Sequence, residues 1–306
     1  MSRKSFLVLL VSLITSCVFA SRGDQQIPPA SSSRQTLARQ VFDRYVNALG
    51  GRDAYARIIS RSIKGKFEYN GSSQTTPESF EAQQAEGTVE MHWETPNRVA
   101  EALIGPPLAV KRGYDGKDAW GFHPQAGVRK ISPSEITEIV RSSVLYQPIA
   151  LSNYYTQISY DGKRRVDGPE VDIIEATTKD NRTERFYFDS STGLPVRLDL
   201  WEEGPEGARI RGEYYLAQYY LSDYRIVDGI QVPFSIRRVR PHSTMIFTFT
   251  EVKQNIPLDD RIFEAPRQSS TLPESLHRFR GAVSSKSLDA SGGGVFLNLI
   301  DPMTLD

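Results

Sequence analysis

The chain has little of the chemistry on which enzymes and metalloproteins are built. Cys17 is the only cysteine in 306 residues, so no disulfide can form within it and the fold must hold by its core alone. The four histidines, His92, His123, His242 and His277, stand in no HExxH pattern and in no close His/Asp pair. Each reads as a surface or turn residue. There is no GxSxG elbow, no CxxCH haem motif, no Walker-type phosphate loop and no GxGxxG opening a helix. Net charge is absent as well: 37 basic residues balance 37 acidic ones, which removes the electrostatic reason to expect nucleic acid. We therefore expect no cofactor, no metal, no nucleic-acid partner and no catalysis.

Long apolar runs are scarce too. FLVLLVSLITS at residues 6–16 follows Arg3 and Lys4, and no later run matches it. A charged start before a short apolar stretch is the pattern of a signal peptide, and a bilayer span would need about 20 apolar residues. We expect residues 1–20 to be removed after Ala20, leaving a periplasmic protein. The alternative is a membrane-anchored lipoprotein, because Ile14-Thr15-Ser16-Cys17 resembles a lipobox that would lipidate Cys17. The bulky Val18 and Phe19 directly after it favour the first reading.

What the sequence does have is alternation. Residues 21–33 are rich in Pro and Ser and read as a linker. In residues 34–49, Leu37, Val41, Phe42, Tyr45, Val46 and Leu49 form one helical stripe, ended by Gly50-Gly51. From Ser62 the period becomes two in SIKGKFEY, TVEMHW, ERFYFD, GLPVRLDL and TMIFTFT, which predicts strands with one apolar side. Asp115-Gly116, Asp161-Gly162, Thr192-Gly193 and Asp228-Gly229 read as the turns between strands, making a meander of antiparallel hairpins. Ser132-Pro133-Ser134-Glu135 is a capping box, and Ile136, Ile139, Val140 and Val144 continue it as an amphipathic helix. Residues 267–306 carry no such pattern and read as a flexible tail. The fold class expected is α+β, mostly β. It is a single curved antiparallel sheet, an incomplete barrel of roughly ten or eleven strands over residues 34–266, with helices covering the concave face.

Charged pairs carry no convergent chemistry at this stage. Glu202-Glu203 and Asp259-Asp260 read as solvated turn residues, the latter as the cap of a short terminal turn. Arg164-Arg165, Arg237-Arg238 and Arg240 make a small basic cluster. It is either ordinary strand alternation or a rim that contacts a membrane surface. The aromatics, 14 Phe, 14 Tyr and 3 Trp, fall mostly on strands. Their plainer reading is a filled core. Their functional reading is a dry pocket under the helices, lined by Phe67, Met91, Trp93, Phe186, Phe188, Leu198, Phe247 and Phe249, with Ile136, Ile139 and Val140 as its lid.

Several stretches in series resemble the LolA/LolB-like superfamily, in particular its outer membrane lipoprotein-sorting relatives. They are the helix ending ALGG, YDGKDAWGF (114–122), the helix after Ser132, FDSSTGLPVRL (188–198), SDYRIVDGIQVPFSI (222–236) and NIPLDDRIFEAP (255–266). The resemblance covers roughly residues 34–266. It implies an incomplete barrel around helices, with a cavity that accepts acyl chains. Three functions are weighed on this basis. The first is a monomeric, non-catalytic carrier of a lipid or an acylated lipoprotein. The second is a cell-envelope structural or interaction module with a filled core and no ligand. An enzyme using scattered carboxylates comes last.

Overall fold

The computed structural model describes residues 30–76, 79–106, 108–124, 127–131, 155–203 and 214–266. Helix α1 (Ala30–Leu49) comes first, followed by a short α2 (Arg52–Ala56). α1 starts inside the stretch read as a linker. Pro28-Pro29 stand just before it, where the ring's fixed φ suits a helix entry, and three serines extend the first turn. The helix expected after Ser132, with its lid residues Ile136, Ile139 and Val140, lies outside the described residues, as do residues 1–29 and 267–306.

Thirteen strands follow in one sheet, two or three more than the alternation suggested. They are β1 (Ser60–Thr76), β2 (Ser79–Glu94), β3 (Arg98–Gly105), β4 (Leu108–Tyr114), β5 (Ala119–His123), β6 (Gly127–Lys130) and β7 (Tyr155–Arg165). Then come β8 (Glu170–Thr178), β9 (Thr183–Asp189), β10 (Pro195–Glu203), β11 (Tyr214–Val227), β12 (Ile230–Arg240) and β13 (Ser243–Gln254). The undercount has a simple cause. β5 and β6 are only five and four residues long, too short to show a period.

The sheet is two meanders joined along one line. Its order is β6-β5-β4-β3-β2-β1-β13-β12-β11-β10-β9-β8-β7, so only the β1·β13 pair is non-consecutive. Among the described residues β6 and β7 are therefore the two free edges, although they are consecutive in sequence. Thirteen strands at about 4.8 Å make a band about 60 Å wide, which must curl to bury one face. Two glycines allow a close approach between neighbouring strands. A Cβ on Gly87 would lie 2.2 Å from the Ile104 carbonyl oxygen, and one on Gly105 1.9 Å from that of Glu86, so β2 and β3 approach there only because both residues lack one.

The hairpin SDYRIVDGIQVPFSI forms as read, with Val227 opposite Ile230 across Asp228-Gly229. Pro233 pairs with Tyr224 of β11 but precedes the first β12–β13 pair at Ser235, so its missing N–H breaks no ladder bond there. Asp161-Gly162 is different. It is not a turn but a bulge inside β7, where the register to β8 slips between Tyr160 and Gly162. The turn itself is six residues later, at Asp167-Gly168, closed by the Val166 N–H donating to the Pro169 carbonyl at 3.1 Å. Both dipeptides supply a positive φ, and only the longer context separates bulge from hairpin.

Candidate functional site

Strand alternation divides the sheet into two faces, and the register aligns them. Ile236, Phe247 and Phe67 stand at one level on β12, β13 and β1 of the inner face. Tyr219, Arg238, Met245 and Tyr69 stand at the next level, two residues along β12. Phe67, Met91, Trp93, Phe186, Phe188, Leu198, Phe247 and Phe249 are all inner-face residues of one continuous apolar cluster, none more than 5% exposed. α1 seals one side of it. Tyr45 and Phe42 pack their rings on Phe188 at 5.3 and 5.6 Å, and Phe186 meets the edge of Tyr155 at 5.9 Å. Phe186 and Phe188 lie on the α1 side of the cluster, and Phe67, Met91, Trp93, Phe247 and Phe249 on the β13–β1–β2 side.

Polar groups are set into this apolar face, and most are saturated. Asp172 accepts hydrogen bonds from Arg44 (2.7 Å), Tyr160 (2.8 Å) and Ser190 (3.1 Å), which fasten α1 to β8. Burial opposes its charge, but those three bonds win and hold its carboxyl below the usual range. Glu184 takes the Tyr155 hydroxyl and the Trp201 N–H, the latter at 3.0 Å. Glu202 is 1% exposed, not the solvated turn charge expected. It accepts from Arg240, Tyr219 and Tyr215, and burial, followed by the nearby carboxylate, pushes the Tyr219 hydroxyl well up.

Several buried polar atoms are not saturated by the described residues, among them two nitrogens of Arg61, the side-chain amide of Gln254, and one atom each of Glu101 and Arg238. Glu101 pairs with Arg112 at 2.5 Å through one oxygen, while its Oε1 has no partner among the described residues. Burial raises its carboxyl, against the pull of Arg112 and, more weakly, of Arg238. Arg238 itself is 2% exposed. Its Nη2 meets only the Met245 sulfur at 3.6 Å, and its Nη1 meets nothing among the described residues. Arg237, one residue earlier, points outward and stacks on Tyr220 at 3.9 Å.

The outer face carries a separate cleft of about 530 Å³ between β2–β5 and the C-terminal turn at Asp260–Ile262. Glu90, His92, Lys111, Trp120 and Arg261 line it, and none of the eight apolar inner-face residues does. Trp120 pins the turn by donating its Nε1–H to the Phe263 carbonyl at 2.7 Å, with Arg98 over the Phe263 ring at 4.4 Å. Asp259 caps the turn as expected. Among the described residues no group of three His, Cys, Asp or Glu could hold a metal, and no helix is long and apolar enough to cross a membrane.

No family model matches the sequence, and no curated protein matches it. Solved structures do. A DUF1329 family protein from Desulfovibrio piger is 16% identical over 74% of this chain and 97% of that one, with a TM-score of 0.47. A LolA superfamily protein from Nitrosomonas europaea is 11% identical over the same shares, also at 0.47. This is the superfamily that the sequence resembles. At that TM-score the likeness carries no functional weight, and the functional reading rests on this chain's own residues.

Proposed function

We propose that this is an exported, non-catalytic binding or carrier protein that holds the acyl chain of a lipid or lipidated protein against its concave apolar face. The carrying observation is an apolar inner face on a sheet whose edges, β6 and β7, are not bonded to each other among the described residues. Such a roll can widen without breaking a ladder hydrogen bond. The apolar side chains of its inner face form one continuous cluster, and an acyl chain laid on them replaces like with like. Each buried CH₂ contributes about 0.8 kcal/mol, so a chain of about a dozen supplies several kcal/mol beyond the cost of immobilising it. Phe67, Met91, Trp93, Phe247 and Phe249 form the floor, Leu198, Phe186 and Phe188 the α1 side. Ile136, Ile139 and Val140, on the connector between the two edges, would close the mouth.

Titration with cis-parinaric acid tests this. Saturable one-to-one binding should be seen, and Val110→Trp, a half-buried inner-face position on β4, should weaken it at least tenfold without loss of fold. The filled-core module is favoured by one observation: the eight residues are almost fully buried by the protein's own side chains. It predicts no saturable uptake. It also predicts that Val110→Trp destabilises by overpacking, about 1–3 kcal/mol.

A further inference from the structure

Arg238 is the more deeply buried of two inner-face arginines, with Arg61, that have unpartnered nitrogens among the described residues. Guanidinium does not lose its proton in a protein, so burial cannot neutralise it. A thioether is a weak acceptor, and the Met245 sulfur at 3.6 Å is the one partner it has among the described residues. The neighbouring charges do not balance it. Arg240 is bonded to Glu202, whose other oxygen takes Tyr219, and Arg112 is bonded to Glu101. The two carboxylates that feel Arg238, Glu101 and Glu202, are each bonded to another arginine, and neither accepts a hydrogen bond from Arg238 Nη1. Breaking or omitting the partner of a buried charge is strongly destabilising, whereas apolar replacement of such a charge is often neutral. A purely structural core would have no reason to keep it.

We propose that Arg238 is the anchor for the anionic headgroup, a phosphate monoester or a free carboxylate, of the amphiphile whose chain lies on the apolar floor. This rests on the acyl-binding reading above. Arg238 sits one level along from Ile236, Phe247 and Phe67, so a headgroup on its Nη1 leaves the chain to run over those rings. The planar fork offers two parallel N–H donors to two oxygens of the anion. Tyr69 and Tyr219, at the same level on either side, bound the site with aromatic walls.

The test compares dodecyl phosphate, dodecanol and inorganic phosphate by calorimetric titration of the full mature protein and of Arg238→Met and Arg238→Lys. The parent should bind dodecyl phosphate at least tenfold more tightly than dodecanol, and inorganic phosphate should not compete at equal concentration. Arg238→Met should bind the two amphiphiles equally, with dodecanol affinity unchanged, and Arg238→Lys should retain part of the preference. The melting temperature of the unliganded Arg238→Met protein should hold or rise. Equal affinity of the parent for both amphiphiles, or a preference that survives in Arg238→Met, overturns the anchor while leaving the carrier reading intact. Phosphate alone binding as well as dodecyl phosphate overturns it in favour of a free-anion site. A fall in melting temperature with Arg238→Met assigns the residue to the core and also overturns it. Binding of neither amphiphile to the parent overturns both readings.

Discussion

Trp120 shows how a single side chain fixes a chain end to a sheet. Its indole covers Gly113, whose Cβ, if present, would lie 2.5 Å from the ring, and its N–H satisfies the Phe263 carbonyl. Trp120→Phe leaves that carbonyl buried and unpaired and should cost about 1–3 kcal/mol in a urea titration. In the same cleft burial disfavours the His92 imidazolium, more than Glu90 supports it, and Lys64 adds to the penalty, so the folded protein titrates below the ordinary value of 6.5. His123 is lowered for the same first reason, with Arg129 adding to it. The unfolded chain therefore takes up these protons first. Stability should be full above the ordinary histidine range and should decline as pH falls through 6.5 towards the depressed folded values. Melting curves from pH 8 to pH 5.5 should show that decline, and His92→Gln should flatten part of it. At this scale the sequence was legible where a residue followed its strand's period and misleading where its charge was taken as proof of exposure. Leu198, Leu200 and Glu202 are in phase, as are Ile236, Arg238 and Arg240. The period alone would have put Glu202 and Arg238 inside.

Elements were legible where they were long and regular. The α1 stripe is buried at Val41, Phe42, Tyr45, Val46 and Leu49, though Leu37 near its start is exposed, and the five alternating stretches lie on β1, β2, β9, β10 and β13. Short strands and the bulge at Gly162 were not legible, because a four-residue strand has no period and Asp-Gly serves bulge and turn alike. The two glycines after α1 differ in the same way. Gly50 has φ +123 and its Cβ would lie 2.2 Å from the Gly229 carbonyl oxygen, at the tip of the β11–β12 hairpin, while Gly51 has φ +87 and open space around it. Gly51→Ala should cost only the left-handed strain, about 1–2 kcal/mol. Gly50→Ala should cost more, because the hairpin tip must move as well, and the two denaturation midpoints should separate accordingly.

The whole molecule is a band that rolls but does not close. Its seam, β1 with β13, lies at the centre, and its edges, β6 and β7, have one strand neighbour each among the described residues. Amide exchange should therefore be slowest along β1 and β13 and fastest at β6, and bound amphiphile should slow exchange more on β12, β13 and β1 than on β8 and β9, where α1 already seals the face. This scale was the least legible. Alternation tells which side of a strand is apolar, but only pairing across the sheet reveals that Glu101 and Arg238 share one interior. The central claim, that this interior accepts an acyl chain, is tested most directly by native mass spectrometry of protein purified without detergent from the cells that make it. A one-to-one adduct of lipid mass, stripped by organic solvent, should be found. Bare polypeptide mass before and after extraction, with no adduct regained on adding dodecyl phosphate, would contradict it.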